Sequence, residues 1–183
     1  PFASITHLRK VLLEIGDIVN VDEDVVMVYL TGSSGADHTL NAVNPPLDLI
    51  GLSPQGLRQL LDAAGIRWRV IVVSTCNAGA WMDALQDDET LVIASSAADA
   101  SGEDCAGSLR PTAFGSAFFD GMRHSDDFTR AFEAARRQLA ERHAPDPVMS
   151  MGSAIAERLK SLQRSGAGRV VAQAAPHGAA LLR

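Results

Sequence analysis

The chain has 183 residues and a formal net charge of −6 at pH 7; 46% of its residues are hydrophobic and 21% charged. That length supports one domain with a buried core, and the apolar share excludes wholesale disorder. The acidic balance, with no basic stripe, argues against nucleic-acid binding and against a basic helix lying on a membrane surface.

In chain order, Ile5, Leu8, Val11, Leu12, Ile15 and Ile18 recur at helical spacing, with Ser4 or Thr6 as the cap. Asp24–Thr31, "DVVMVYLT", is a short apolar run and reads as a strand buried on both faces. Ser53–Gly65 has a serine cap, a proline at the first helical position and a terminal glycine, so it reads as a helix. Arg67–Thr75 is a second buried strand, Ala78–Asp88 a short helix and Thr90–Ser96 a third strand. A Gly/Ser/Asp-rich loop follows from Ala97 to Arg110. Helices are expected at Thr112–Met122, Asp126–His143 and Met151–Leu162. Residues 1–164 form the domain, and 165–183 a Gly/Ala-rich tail with little to pack.

Strands alternating with helices indicate an α/β domain with a mainly parallel sheet. Functional groups then gather beyond the carboxyl ends of the strands. Two stretches lie there: "TGSSGADH" (Thr31–His38) and "STCNAG" (Ser74–Gly79). Cys76 stands where a strand turns into a helix, and a helix amino end favours a thiolate. A thiolate attacks well once a neighbouring imidazole takes its proton. The plainer reading of Cys76 is a small buried thiol.

Two cysteines, Cys76 and Cys105, make no disulfide framework and point to a reducing, cytoplasmic setting. Neither CxxC nor HxxxH spacing is present, so no metal is expected. No apolar run is long enough for a membrane span, and no signal peptide is seen. The domain is expected to make no direct membrane contact, and a longer membrane-anchored parent is compatible with that. "TGSSGADH" is neither GxGxxG nor a Walker loop, so phosphate binding is weakly supported. Ser33, Asp37 and His38 sit too close in one loop to make a serine triad.

Three blocks, "DEDVVMVYLTGSSGADHTL", "WRVIVVSTCNAGAWMDALQDDETLVIASSAAD" and "FGSAFFDGM", together resemble the legumain (haemoglobinase) family of cysteine peptidases, in its bacterial form. The resemblance implies a caspase-like three-layer fold and hydrolysis of peptide bonds after Asn or Asp, with no cofactor. It implies a first strand preceding Pro1, ending in an arginine of the specificity pocket. It makes Cys76 the nucleophile and Gly79 the glycine that follows it. Asp37-His38 aligns with the family's Asp-His pair. Counting back, Ser33 takes the catalytic histidine's place, and Ser34 that of the glycine whose N–H helps form the oxyanion hole. Asn77, Ser95, Ser96, Asp99 and Ser101 fall where substrate would be gripped, or else form an ordinary polar loop. Cys105 resembles a family cysteine on that loop and reads as packing.

A serine hydroxyl has no pKa near neutrality and cannot serve as the missing base. The family label therefore leaves two readings open. One is a cysteine endopeptidase domain that is impaired, or rescued by His38. The other is a non-catalytic scaffold that binds a peptide or protein partner.

Overall fold

The computed structural model describes residues 4–42, 46, 49–100 and 112–165. Helix α1 (Ile5–Ile18) leads through a turn into strand β1 (Val25–Thr31). Helix α2 (Pro54–Ala63), strand β2 (Trp68–Ser74), a single 3-10 turn (Ala78–Trp81), helix α3 (Met82–Leu85) and strand β3 (Thr90–Ala94) follow. Helices α4 (Ala113–His124) and α5 (Phe128–Ala140), strand β4 (Val148–Met151) and helix α6 (Ser153–Ser165) complete the described part.

The sheet runs β1-β2-β3-β4. The first three strands are parallel, and β4 joins β3 antiparallel, pairing Leu91 with Met151 and Ala94 with Val148. Successive side chains point to opposite faces, so each central strand feeds two cores. Ile71 and Val73 of β2, with Val92 and Ala94 of β3, pack with α1, α2 and α3. Val70, Val72, Leu91 and Ile93 pack with α4, α5 and α6. Every residue of β2 and β3 is buried. This is the expected α/β class, with both sheet faces covered by helices.

The caps follow the sequence closely. Ser4 Oγ accepts from His7 N at 3.3 Å, and Ser53 Oγ from Gly56 N at 3.0 Å ahead of Pro54. Gly65, at φ +65°, lies just beyond the end of α2, in the left-handed region a glycine enters freely. Helix α6 is served from far away: Asp88 Oδ1 accepts from Ser153 N at 3.1 Å and from Ser153 Oγ at 2.7 Å. The hydroxyl and amide of Ser153 hold the Asp88 carboxyl below its ordinary value.

Two elements differ from expectation. Strand β1 is half-buried rather than buried throughout, because it is an edge strand that pairs only with β2 among the described residues. Strand β4 was not anticipated: "VMSM" is four residues long, follows Pro147 and shows no clear alternation. It forms because its backbone completes the far side of β3.

Candidate active site

Thr31 and Ser74 are register partners at the ends of β1 and β2, and Gly32 N donates to Ser74 O at 3.4 Å. Ser33 and Cys76 each lie two residues beyond that pair. The two loops therefore leave the same edge of a parallel sheet, where such sheets carry their sites. Ser34 Oγ donates to Cys76 O at 3.0 Å and ties the two loops together.

Cys76 is 7% exposed and its sulfur is disulfide-bonded. The sequence had suggested reduced thiols; nucleophilic chemistry at this residue requires the bond to be reduced first. Cys105 and Ser101 lie outside the described residues.

Ser33 is half-buried. Its hydroxyl accepts from Asn41 Nδ2 at 3.4 Å, and its carbonyl from Asn41 N at 2.9 Å. Ser34 bridges to Leu40, which in turn bridges to Leu52, so the loop folds back as a narrow ribbon. At its tip Asp37 accepts from Thr39 Oγ1 at 2.8 Å and Thr39 N at 3.1 Å. Those bonds, the hydroxyl first, hold the Asp37 carboxyl below its ordinary value. His38 adopts φ +62°, uncommon for a non-glycine residue, and its Nδ1 is buried without a hydrogen-bond partner among the described residues.

The loop after β2 is laced to the loop after β3. Asn77, at φ +52°, donates from Nδ2 to Ala98 O at 3.0 Å and to Ala100 O at 3.3 Å. Ala78 N donates to Ser96 Oγ at 3.2 Å, and Ser95 Oγ to Thr75 O at 3.4 Å. Ser95 and Ser96 are buried, with their hydroxyls engaged inside the wall. Asp99 is exposed on the same loop. Gly79 lies against this loop so closely that a Cβ would meet Ala98 N at 2.6 Å and Ser96 O at 2.9 Å. No group of metal-ligating side chains is present among the described residues.

The family model described as "Peptidase C13 family" matches residues 9–157. The chain belongs to the peptidase C13 family. That is the legumain family expected from the sequence. A cysteine-peptidase-like domain with a peptide or protein ligand follows at the level of class. Among solved structures it is similar to caspase-1 from Spodoptera frugiperda, with a TM-score of 0.58 and 13% identity, covering 82% of this chain and 69% of that one. At that identity the likeness is one of fold, and the caspase-like architecture is established. No curated protein matches the chain.

Sequence reading missed Asn41 and Thr112. Asn41 lies just past the aligned loop, and nothing in its neighbours marks it as a partner of Ser33. Thr112 caps α4 through Gly115 N at 2.9 Å, and its hydroxyl also meets Ser74 Oγ at 2.7 Å. The cap was legible from sequence; the bond to the end of β2 was not.

Proposed function

We propose that this domain is a legumain-like cysteine endopeptidase scaffold in which Cys76 keeps the nucleophile's position and Ser33 replaces the base. It recognises Asn- or Asp-containing peptides and cleaves them slowly or not at all. The observation that carries this reading is the strand register, which brings residues 33 and 76 to matching points beyond β1 and β2. A base at position 33 would be suited to serve a thiol at position 76. A serine there supplies only a hydroxyl, already engaged by Asn41.

His38 does not make good the loss. Its Nδ1 is buried and makes no hydrogen bond among the described residues, so that ring nitrogen is not engaged with the Cys76 sulfur. Asp37, the neighbouring carboxylate, is engaged by Thr39 rather than by the ring. The Ser34 amide remains available in principle as an oxyanion donor, which suits binding of a peptide carbonyl without turnover.

Turnover of fluorogenic Asn- and Asp-containing peptides by the reduced protein tests this. No cleavage above that of Cys76→Ala is expected, while the same peptides, unlabelled at the scissile bond, bind. Efficient cleavage lost on Cys76→Ala would sink the proposal. Its further loss on His38→Ala would identify His38 as the base.

A further inference from the structure

The sulfur of Cys76 is held in a disulfide, and the sequence contains one other cysteine, Cys105, which lies outside the described residues. Disulfides are indispensable in domains too small to bury a core. This domain buries an apolar cluster on each face of its sheet, and both central strands are buried throughout. Such a core does not call for a cross-link. The place of the bond is the informative feature. It takes up the sulfur two residues beyond the register pair Thr31–Ser74, and leaves no thiolate there to attack or to be alkylated.

The wall beside Cys76 is held in two grades. Its inner part is buried: Ser95 Oγ donates to Thr75 O, and Ser96 Oγ accepts from Ala78 N. Its outer part, Ala97–Ala100, is half-buried or exposed. Asn77 holds that outer part, donating from Nδ2 to Ala98 O and Ala100 O. It does so from φ +52°, an uncommon conformation for a residue other than glycine. Cys105 stands five residues along the chain from Ala100. The covalent tie and the Asn77 bonds therefore start from adjacent residues and reach the same segment. With the disulfide open, the outer wall rests on two bonds near the surface, and bonds so placed open readily.

We propose that the Cys76 disulfide is a reversible redox latch on the cleft, opened by a dithiol reductant. A thiolate of the dithiol attacks one sulfur of the bond, forms a mixed disulfide and expels the other cysteine as a thiolate, which takes up the proton released. The second thiol of the dithiol then loses its proton and displaces the first cysteine. The protein gains two electrons and two protons, and the dithiol leaves as a disulfide. In the oxidised chain the sulfur is occupied and the outer wall is pinned. In the reduced chain the Cys76 thiol is released and Ala97–Ala100 can yield to a ligand. The latch governs the peptide site of the preceding section, and it rests on that reading for its ligand only.

The test compares the oxidised 183-residue chain with the same chain after dithiothreitol treatment under argon. The reduced wild type carries the readings by itself, and Cys105→Ser repeats them without reductant. A cooperative melt is expected in both states. The Ala100 amide, bonded to Ala97 O at 3.3 Å, should exchange at least ~10-fold faster once the bond is open, with the strand amides of Val72 and Ile93 unchanged. Unlabelled Asn-containing peptide should bind the reduced chain about 10-fold more tightly, a usual size for coupling between two sites. Oxidised glutathione should restore the slower exchange. Loss of the cooperative melt on reduction would make the bond a structural staple and overturn the inference. Equal exchange and equal affinity in the two states would overturn it as well, and would leave the peptide-binding reading standing. Faster exchange with no peptide bound in either state would uphold the latch and sink the ligand assigned above.

Discussion

Replacing Ser33 by histidine asks whether only the base is missing. Positions 33 and 76 each lie two residues beyond the register pair Thr31–Ser74, so an imidazole introduced at 33 is expected to neighbour the Cys76 sulfur once the disulfide is reduced. An ordinary thiol has a pKa of about 8.5, so roughly 0.3% is thiolate at pH 6. A neighbouring imidazolium that draws it down by about two units raises that share to roughly a quarter, an increase of about 75-fold. The lower-pKa thiolate is intrinsically about 8-fold less nucleophilic, because reactivity falls with basicity at a slope near 0.45. The net expectation is alkylation of Cys76 by iodoacetamide about 10-fold faster in Ser33→His at pH 6. It should be several-fold slower at pH 9, so the two rate profiles cross. The assay is mass spectrometry of the peptide carrying Cys76, which separates it from Cys105. Parallel profiles would refute the reasoning, because position 33 would then not face the sulfur. Ser33→His is the better first variant than its combination with Ser34→Gly. The Ser34 hydroxyl bonds the Cys76 carbonyl, and its loss costs about 1 kcal/mol where the two loops meet.

Gly79→Ala should be strongly destabilising, because the added Cβ would meet backbone atoms of Ala97 and Ala98 rather than a movable side chain. An overpacking cost of about 2–3 kcal/mol, roughly 5–10 °C in Tm, is expected, and an unchanged thermal melt would show that the loop after β3 can retreat. Asp88→Asn should lower stability at neutral pH through the amino end of α6. The folded Asp88 carboxyl titrates below its ordinary 3.8, so its stabilisation is complete above that value and is lost as pH falls through the lower folded one. The Tm gap between wild type and Asp88→Asn should therefore be constant above about pH 5 and close below 3.8. A gap independent of pH would mean that the charge contributes nothing there.

Much of the fold was legible because the central strands are buried on both faces and announce themselves as apolar runs. "VIVV" and "LVIA" could be little else between helical patterns with serine caps and glycine stops. Strand β4 and the half-exposure of β1 escaped for one shared reason. Edge position is decided by which strands pair, and a single strand's composition does not encode its neighbours. The short helix expected over Ala78–Asp88 is a 3-10 turn (Ala78–Trp81) followed by one α-helical turn (Met82–Leu85), a split that apolar residues at three- and four-residue spacing do not reveal. In the site, the order and spacing of Ser33, Asp37, His38 and Cys76 were readable from family resemblance. What their side chains touch was not. Asn77 was taken as a residue toward substrate, yet its amide nitrogen spends both donors on Ala98 and Ala100. Ser95 and Ser96 look like pocket polar groups in sequence and are buried braces in three dimensions.

Those braces bear on what the domain could still do under the proposed loss of its base. The bonds joining the loops after β1, β2 and β3 come from Ser34, Asn77, Ser95, Ser96 and the close approach at Gly79. None of them calls on an imidazole at position 33. Among the described residues these contacts are neutral hydrogen bonds and backbone contact, and they stand beside the disulfide of Cys76, which must open before the thiol can react. General-base catalysis contributes roughly 10²–10⁴-fold to rate, and its loss leaves such a scaffold standing. The proposed function therefore predicts that binding and turnover separate in this domain. On the proposed reading, peptides bind at the loops after β2 and β3 while turnover, which needs a proton acceptor at the end of β1, is the property that fails, and the binding and cleavage assays read the two apart.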